Sequence, residues 1–386
     1  MDSRTKVIFK IDEYIQKYKK QYKKNCKVLT LEPKVIGCFS VSSERFYSSD
    51  TNELKFLVIP GPGLFPLNLN RQLVSPDEHQ HHAEYLDNML YFIRDHPDKM
   101  VKMSSGLGSV VQADIVTQHE LLQTLMRTPY KSRDWRILGT KYRNTIYLCL
   151  AKPNNSGRTP ADLQRERACQ VMETRLKRFL YSDTPDSLSS LRSNGGEFHG
   201  VFRCSIGGLS VVYGSAMGAH CNKRIQALNK NSSRFAECKV ILPHSDIQSS
   251  SSKPDPEEAL MWWSDCYLKG VKEIYVARPQ PSGHVQNLTT CSLTSLISDN
   301  VSKYNFNFRC LCSFHLQINN WSCDMCIEFM HYTLQQICTA MQLEDPNSVY
   351  HFDYVSSPGV LMFDVSENRN ANTFISDWFR FTLDNP

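Results

Sequence analysis

The short run Phe235–Val240 contains the two residues with the clearest chemical potential, Glu237 and Lys239. Side chains two residues apart in a β-strand project to the same face, so this carboxylate and this ammonium should point together into whatever covers the sheet. Metal-dependent nucleases use such an E-x-K spacing: the carboxylate holds a divalent ion and the lysine positions or polarises the attacking water. The same pair is also an ordinary surface ion pair. Metal chemistry therefore requires further carboxylates to converge on it.

A histidine cluster is a second candidate for metal binding. His79, His81 and His82 are close enough in sequence for their imidazoles to bind zinc together. Alternating histidines on a surface segment usually remain solvated instead, and this is the interpretation we favour. The chain contains no P-loop, no G-x-S-x-G nucleophile elbow and no dinucleotide-binding fingerprint. The sequence therefore does not indicate the chemistry that those motifs carry.

The 14 cysteines bear on both zinc binding and redox environment. They are scattered through a long chain whose N-terminal segment is polar, so we expect mostly buried free thiols in a reducing compartment. One group has a zinc-like arrangement of two close pairs: Cys310, Cys312, Cys323 and Cys326. Structural thiols are the favoured interpretation, because Cys326 also belongs to a helical apolar stripe. The sequence leaves zinc binding by these four residues open.

Composition and charge define the class of protein. Hydrophobic residues make up 41% of the 386 residues, and no apolar run reaches the ~18 residues that a membrane span requires. We therefore expect a soluble intracellular protein with a large core. The formal net charge of +5 is too small, by itself, to indicate a nucleic-acid-binding protein.

The basic residues are concentrated at the N-terminus, where residues 1–27 hold nine Lys or Arg residues. This segment is either a basic arm that contacts phosphate or an acidic partner, or an amphipathic helix whose lysines stay solvated. We favour the second interpretation, because apolar residues recur at helical spacing. Those residues are Ile8, Ile11, Ile15, Tyr18 and Tyr22.

Strand-like runs and helical patterns alternate after Pro33 without an internal repeat. The runs rich in β-branched and aromatic residues are Asn144–Ala151, Gly200–Ile206, Leu209–Ala216, Phe235–Leu242, Glu273–Arg278, Val349–Val355 and Val360–Val365. The helical patterns are Ala83–Arg94, His119–Arg127, Ala161–Tyr181, Glu257–Lys269 and Ser322–Met341. This alternation predicts an α/β (mixed α+β) fold, in which helices flank a mixed β-sheet core. We expect one domain at residues 30–386, preceded by a basic arm or helix at residues 1–29.

Several motifs keep the order of a known family. They are Pro33–Ser40 followed by Glu44 and Arg45, then Ala113–Thr117 with Thr128–Tyr130, and finally Met261–Val271 after the E-x-K run. From Pro33 to about Trp378, the chain resembles the DXO family of RNA 5′-end decapping exonucleases. The resemblance implies the DXO-like nuclease fold and a pocket in which several carboxylates hold Mg²⁺ or Mn²⁺.

The departures from the family pattern fall on that pocket. By the resemblance, Lys177 stands where the family has a glutamate, Ala216 and Gly218 replace its E-x-D, and Asp265 replaces a glutamine. The retained residues are Arg45, Glu237 and Lys239. Four carboxylates at the matched positions are thus reduced to one, and a cation is added.

A shifted alignment does not restore the missing carboxylates. No Asp or Glu occurs between Glu197 and Glu237, so the E-x-D has no replacement nearby. A pocket without those oxygens lacks the ligands that two-metal catalysis needs. Lys177 is instead expected to be able to form a salt bridge with Glu237. We therefore predict no catalytic residues, no bound metal and no other cofactor.

Among family members, the pattern of a retained fold with lost ligands resembles a catalytically degenerate insect member. This resemblance implies a nuclear germline factor of the piRNA pathway, a non-catalytic scaffold that supports transposon silencing. It would act with the adaptor Deadlock and, through it, the chromatin reader Rhino, protecting nascent piRNA-cluster transcripts from 5′-end processing and termination.

Two other functions remain open at this point. One is an active metal-dependent RNA 5′-end decapping nuclease with a remodelled site, using Glu237, Lys239 and Asp265 with Mg²⁺ or Mn²⁺. The other is a protein that holds nascent single-stranded RNA without cutting it, through the cations Arg45, Lys177 and Lys239. The sequence identifies neither the partner-binding surface nor the oligomeric state. The first segment to consider as a partner surface is Ser322–Met341, although core packing is its more common use.

Overall fold

A computed structural model describes residues 5–22, 31–70, 85–106, 108–130, 133–151, 159–185, 195–221, 235–243, 253–300 and 321–384. Its strands are β1 (Lys6–Lys10), β2 (Lys34–Val41), β3 (Tyr47–Ser48), β4 (Phe56–Leu57), β5 (Leu67–Asn68), β6 (Val101–Ser104), β7 (Gly108–Val111), β8 (Ile115–Gln118), β9 (Trp135–Tyr142), β10 (Thr145–Leu150), β11 (Tyr181–Ser182), β12 (Glu197–Ile206), β13 (Leu209–Ala216), β14 (Ala219–His220), β15 (Phe235–Val240), β16 (Glu273–Ala277), β17 (His284–Val285), β18 (Leu288–Ser292), β19 (Val349–Val355) and β20 (Val360–Ser366). Its α-helices are α1 (Ile11–Tyr22), α2 (Asp87–Asp95), α3 (Pro97–Met100), α4 (His119–Arg127), α5 (Pro160–Leu180), α6 (Pro256–Lys269), α7 (Leu293–Asn300), α8 (Cys323–Ala340) and α9 (Asp377–Asp384), and a 3₁₀-helix spans Pro62–Leu64.

Two mixed sheets organise the described residues. The larger has ten strands in the order β1-β20-β19-β9-β10-β8-β13-β12-β2-β3, and the smaller has six in the order β11-β4-β14-β15-β16-β18. Most neighbours are antiparallel, but β8 is parallel to both β10 and β13, β15 is parallel to β16, and β14 is parallel to β4. The predicted fold class, a mixed α+β fold with helices around a mixed sheet core, is confirmed.

Both faces of the larger sheet are buried, which explains why its central strands are continuously apolar. In β10, Ile146 and Leu148 face the core formed with α1, α4, α6 and α8. Tyr147 and Cys149, which alternate with them, face the opposite core formed with α2 and α9. The smaller sheet packs against α6 through Ile274 and Val276, among other residues. Helix α6 therefore lies between the two sheets, beside strand β15.

Many predicted elements match the structure closely. Strand β13, helix α4 and strand β19 have the predicted bounds. Strand β12 is longer than predicted, starting at Glu197, because it pairs with β2 on one side and β13 on the other. Helix α2 begins at Asp87 instead of Ala83, and Leu86 is its N-terminal cap residue. His79, His81 and His82 lie outside the described residues, as do Cys310 and Cys312.

The described part of the N-terminal segment packs against the rest of the described residues. Strand β1 pairs with β20 at the edge of the larger sheet. Helix α1 buries Ile11, Tyr14 and Ile15, and the Tyr14 ring contacts Phe329 and Tyr332 of α8. The docked amphipathic helix, the favoured interpretation of this segment, is thus confirmed for α1, while the division of the chain at residue 29 stays a prediction.

Helix α8 is a core helix and offers no free sulfur-rich face for a partner. Cys326, Met330 and Leu334 are fully buried against α1 and α4. Burial raises the pKa of the Cys323 thiol to about 12 and also raises that of Cys326, so both are protonated thiols. Within the described residues, no three His, Cys, Asp or Glu side chains are grouped as metal ligands, and no helix could cross a membrane.

Candidate functional site

Strand β15 and helix α6 position the side chains of the candidate pocket. Helix α6 begins with a reciprocal capping box, in which Asp255 accepts from the Glu258 amide and Glu258 accepts from the Asp255 amide. It ends at Gly270, whose φ of 65° is left-handed and favours glycine. These two ends fix the helix so that Asp265 and Lys269, one turn apart, face strand β15.

A chain of buried ion pairs links the strand to the helix. Lys269 Nζ lies 2.9 Å from Glu237 Oε1 and 2.8 Å from Asp265 Oδ1. Lys239 Nζ lies 3.3 Å from Asp265 Oδ2. Glu237 and Lys239 thus face the same helix, as their spacing predicts. The Glu237 side chain is only 4% exposed, and that of Lys269 is 10% exposed.

His119, the first residue of α4, closes the network from a third element. Its Nε2 lies 3.2 Å from the backbone oxygen of Asp265 and 3.4 Å from Asp265 Oδ1. A carbonyl oxygen only accepts, so Nε2 carries the proton and donates. Burial outweighs the attraction of Asp265 and lowers the pKa of His119, so the imidazole is neutral near pH 7. His119 therefore orients Asp265 without adding charge.

The four charged members of the network are ionised. Burial opposes the charge on Glu237 and on Asp265, but nearby cations together outweigh it and hold the pKa of each carboxyl below its usual value. Lys269 contributes most to this lowering, and Lys239 adds to it at both carboxyls. Burial likewise opposes the charge on Lys239 and Lys269, yet Asp265 and Glu237 together, with Glu173 in the case of Lys239, keep the pKa of both ammonium groups above the usual value. Two negative and two positive charges cancel, so the pocket is neutral without any added ion.

Helix α5 packs next to β15 and brings Lys177 and Glu173 near the pocket. Lys177 helps to lower the pKa of Glu237 through its charge, but the ion pair to Glu237 belongs to Lys269. The salt bridge predicted for Lys177 is therefore corrected. Glu173 accepts a hydrogen bond from the Val240 amide at 3.4 Å and helps to raise the pKa of Lys239.

The two positions matched to the family's E-x-D lie next to this network. Ala216 ends strand β13, and Gly218 precedes strand β14. A Cβ atom added at Gly218 would overlap the carbonyl oxygen of Ala236 and lie 3.1 Å from the carboxyl carbon of Glu237. Position 218 therefore has no room for a side chain in this backbone arrangement.

Arg45 belongs to a separate cluster. Its Nη1 lies 3.0 Å from Glu197 Oε2, and the same oxygen lies 3.1 Å from His199 Nε2. Burial opposes ionisation of Glu197, but hydrogen bonds and charge from His199 and Arg45 outweigh it and lower its pKa to about 2. The His199 ring also stacks on Phe39, with centroids 4.8 Å apart. Arg45 is thus held by protein groups.

The structure assembles only part of the predicted RNA-contact set. The Lys239 ammonium is largely buried and paired with Asp265, and its contact with RNA phosphate stays a prediction. Lys269, His119 and Glu173 were not predicted from the sequence, although all three lie at the pocket. The i,i+4 spacing of Asp265 and Lys269 on a helix was a readable signal. His119 and Glu173 had no sequence signal, because only the packing of α4 and α5 brings them here.

A divalent ion does not fit this arrangement. Mg²⁺ and Mn²⁺ need an excess of acidic oxygens, whereas the Glu237 and Asp265 carboxylates are already bridged by the Lys269 ammonium. The pocket is neutral, so a divalent ion would add two uncompensated charges to a buried site, at a large desolvation cost. The geometry is that of a charge-balanced structural network.

Comparison with known proteins places this pocket in a family. A family model described as RAI1-like PD-(D/E)XK nuclease matches residues 31–380. The chain belongs to this nuclease family. It is 28% identical to the protein Cutoff of Drosophila melanogaster, over 90% of this chain and 87% of Cutoff. It is 24% identical to the decapping and exoribonuclease protein of Bos taurus, over 90% of this chain and 84% of that protein.

Solved structures of RAI1-like nucleases have the same fold. Scheffersomyces stipitis Rai1 in complex with (3′-NADP)⁺ and calcium superposes with a TM-score of 0.73 at 11% identity, over 100% of this chain and 99% of that chain. Candida albicans Rai1 in complex with pU5 and Mn²⁺ gives 0.71 at 14% identity, over 92% and 97%. The resemblance inferred from the ordered motifs is therefore confirmed, and so is the DXO-like nuclease fold.

Proposed function

We propose that this member of the RAI1-like nuclease family is a non-catalytic scaffold of the nuclear piRNA pathway. It protects nascent piRNA-cluster transcripts from 5′-end processing and termination, and it acts through Deadlock and, by way of Deadlock, Rhino. The 28% identity to Cutoff over nearly the whole chain supports this proposal. So does the absence of carboxylates at positions 177, 216 and 218, which the resemblance matches to family metal ligands.

One observation carries the non-catalytic part of the proposal: the Lys269 ammonium lies between the Glu237 and Asp265 carboxylates. A lysine in that position neutralises the acidic oxygens that a catalytic ion would require. Two of the cations considered for RNA contact are paired with protein carboxylates: Lys239 with Asp265 in the pocket, and Arg45 with Glu197 in its separate cluster. Contact with nascent single-stranded RNA is then made by the partly exposed Lys177 and by exposed N-terminal lysines such as Lys17.

A nuclease assay tests the proposal. The purified chain is incubated in Mg²⁺ or Mn²⁺ with 5′-monophosphate, 5′-triphosphate or incompletely capped RNA. We expect no release of nucleotides or cap above a mock preparation, because the pocket lacks free acidic oxygens. The bovine decapping and exoribonuclease protein is the positive control. Activity that Glu237→Gln abolishes would contradict the proposal.

The second candidate is an active decapping nuclease with a remodelled site. Its support is the convergence of Glu237, Lys239 and Asp265 in one pocket, where Lys269 contacts both acids and Lys239 contacts Asp265, together with the 24% identity to a decapping and exoribonuclease protein. This candidate requires a metal ion to displace the Lys269 ammonium from both carboxylates. The same assay separates the two functions, because only the second predicts Mn²⁺-dependent release that is lost in Glu237→Gln.

A further inference from the structure

Lys269 bridges carboxylates that come from two different elements. Glu237 is on strand β15 and Asp265 on helix α6, and the lysine ammonium lies 2.9 Å from one and 2.8 Å from the other. Within the described part of the chain, this is the lysine that contacts both of these acids. It therefore connects the smaller sheet to the helix that packs between the two sheets.

The neighbouring cations do not share this role. Lys239 contacts Asp265 alone, at 3.3 Å. Lys177 acts on Glu237 through its charge, and the ion pair to that carboxylate is made by Lys269. His119 is neutral and orients Asp265. Without Lys269, two buried carboxylates would be left with the single close ammonium of Lys239.

The Lys269 ammonium lies at a carboxylate that the family resemblance matches to metal binding. Glu237 is the one carboxylate kept at the positions matched to the family's metal ligands, and Lys269 occupies its Oε1. Gly218, on the other side of Glu237, leaves no space for a further ligand. The cation that this pocket holds is thus part of the polypeptide.

We propose that Lys269 is a tethered cation, which replaces a bound divalent ion in holding β15 and α6 together and makes the folded pocket independent of metal. The inference rests on the proposed loss of metal catalysis. It goes beyond that function because it assigns a specific lysine to the cation position. It predicts that removing this ammonium creates a need for a mobile cation at the same carboxylates.

Thermal unfolding of Lys269→Ala in EDTA and in 1 mM MnCl₂ tests this. The wild-type protein should melt at the same temperature in both. The variant should melt about 10 °C lower in EDTA, since breaking a buried ion pair leaves uncompensated charge. Mn²⁺ should restore at least half of that loss. Lys269→Gln, which keeps a hydrogen-bond donor without the charge, should respond to Mn²⁺ in the same direction.

The matched control is the double variant Lys269→Ala/Glu237→Gln. It removes one cation and one anion together, so it should melt above Lys269→Ala in EDTA and show no gain with Mn²⁺. If Lys269→Ala is insoluble, refolding from urea should recover soluble protein with Mn²⁺ and not with EDTA. The inference is overturned if both single variants melt as wild type, or if neither gains from Mn²⁺ by melting or refolding.

These outcomes are separate from those of the proposed function. Nuclease activity of the wild-type protein would contradict the proposed non-catalytic role. Lack of an Mn²⁺ response in the Lys269 variants would overturn the tethered cation and leave the non-catalytic role standing. The Mn²⁺ readout is a melting temperature or a soluble yield, so it does not depend on RNA cleavage.

Discussion

Gly218 limits the pocket from the side of the smaller sheet. Its α-carbon faces the carbonyl oxygen of Ala236, the residue before Glu237, in the antiparallel pairing of β14 with β15. Any side chain at this position must displace backbone atoms. Substituting the acidic residue that the family has at this position would therefore disturb Glu237 instead of adding a useful ligand. Position 218 thus lacks both the family's carboxylate and the space that such a side chain would need.

We predict that Gly218→Ala destabilises the protein by about 2–3 kcal/mol, because overpacking against backbone forces the strands apart. Urea unfolding followed by tryptophan fluorescence measures the effect. Gly61→Ala is the matched control, because a Cβ there meets no atom within 4 Å and the backbone φ is −64°. It should leave stability within about 0.5 kcal/mol of wild type. Equal stabilities of the two variants would contradict the conclusion that position 218 has no room for a side chain.

At the scale of elements, helix α1 covers helix α8. Tyr14 is 8% exposed, and its ring centroid lies 5.2 Å from that of Phe329 and 4.6 Å from that of Tyr332. The opposite face of α1 carries the exposed Lys17 and Lys20. Helix α1 therefore has the two faces that its sequence predicts. The apolar face packs against α8, and the basic face is exposed to solvent.

We predict that Tyr14→Ala lowers the free energy of unfolding by about 3 kcal/mol, as large-to-small changes at buried aromatic sites do. Lys17→Ala, on the exposed face of the same helix, should change it by less than about 0.5 kcal/mol. Both are measured by urea denaturation. A free arm would predict no effect from either substitution, so an unchanged midpoint for Tyr14→Ala would contradict the docked helix.

At the scale of the whole molecule, the charges of the buried pocket are distinct from the charges that a binding partner can reach on the surface. The ion pairs of the pocket lie between the two sheets and neutralise each other, so they present little charge to a partner. The net charge of +5 is carried outside it. A scaffold role therefore predicts that partner binding depends on the surface of the folded body and not on the pocket.

Co-expression with Deadlock should accordingly give a complex that is stable in size-exclusion chromatography at micromolar concentration. Glu237→Gln should retain that complex, because Glu237 is buried and an amide preserves its shape. The Tyr14→Ala variant controls for the effect of lowered stability on complex yield. The scaffold role would be contradicted, and an enzymatic role favoured, by either of two results. One is that the wild-type chain does not co-elute with Deadlock, and the other is that Glu237→Gln specifically disrupts the complex.

The sequence by itself determined the fold class and much of the pocket. Strand and helix periodicity predicted β13, α4 and β19 with correct bounds, because alternation and helical spacing are local properties. The spacing of Glu237 and Lys239 predicted a shared face, and the gap between Glu197 and Glu237 showed the missing acids without any coordinates. The order of motifs identified the family, since it does not depend on side-chain geometry.

Only the tertiary structure decided which cation meets which carboxylate. Lys177 was the expected partner of Glu237, yet Lys269 makes the contact, because α6 packs directly beside β15. His119 reached the pocket from α4, 146 residues away from Asp265 in the chain. Such pairings depend on how helices and sheets pack at long range, and no local pattern encodes that packing. The same long-range packing places strand β1 beside β20 and helix α1 against α8.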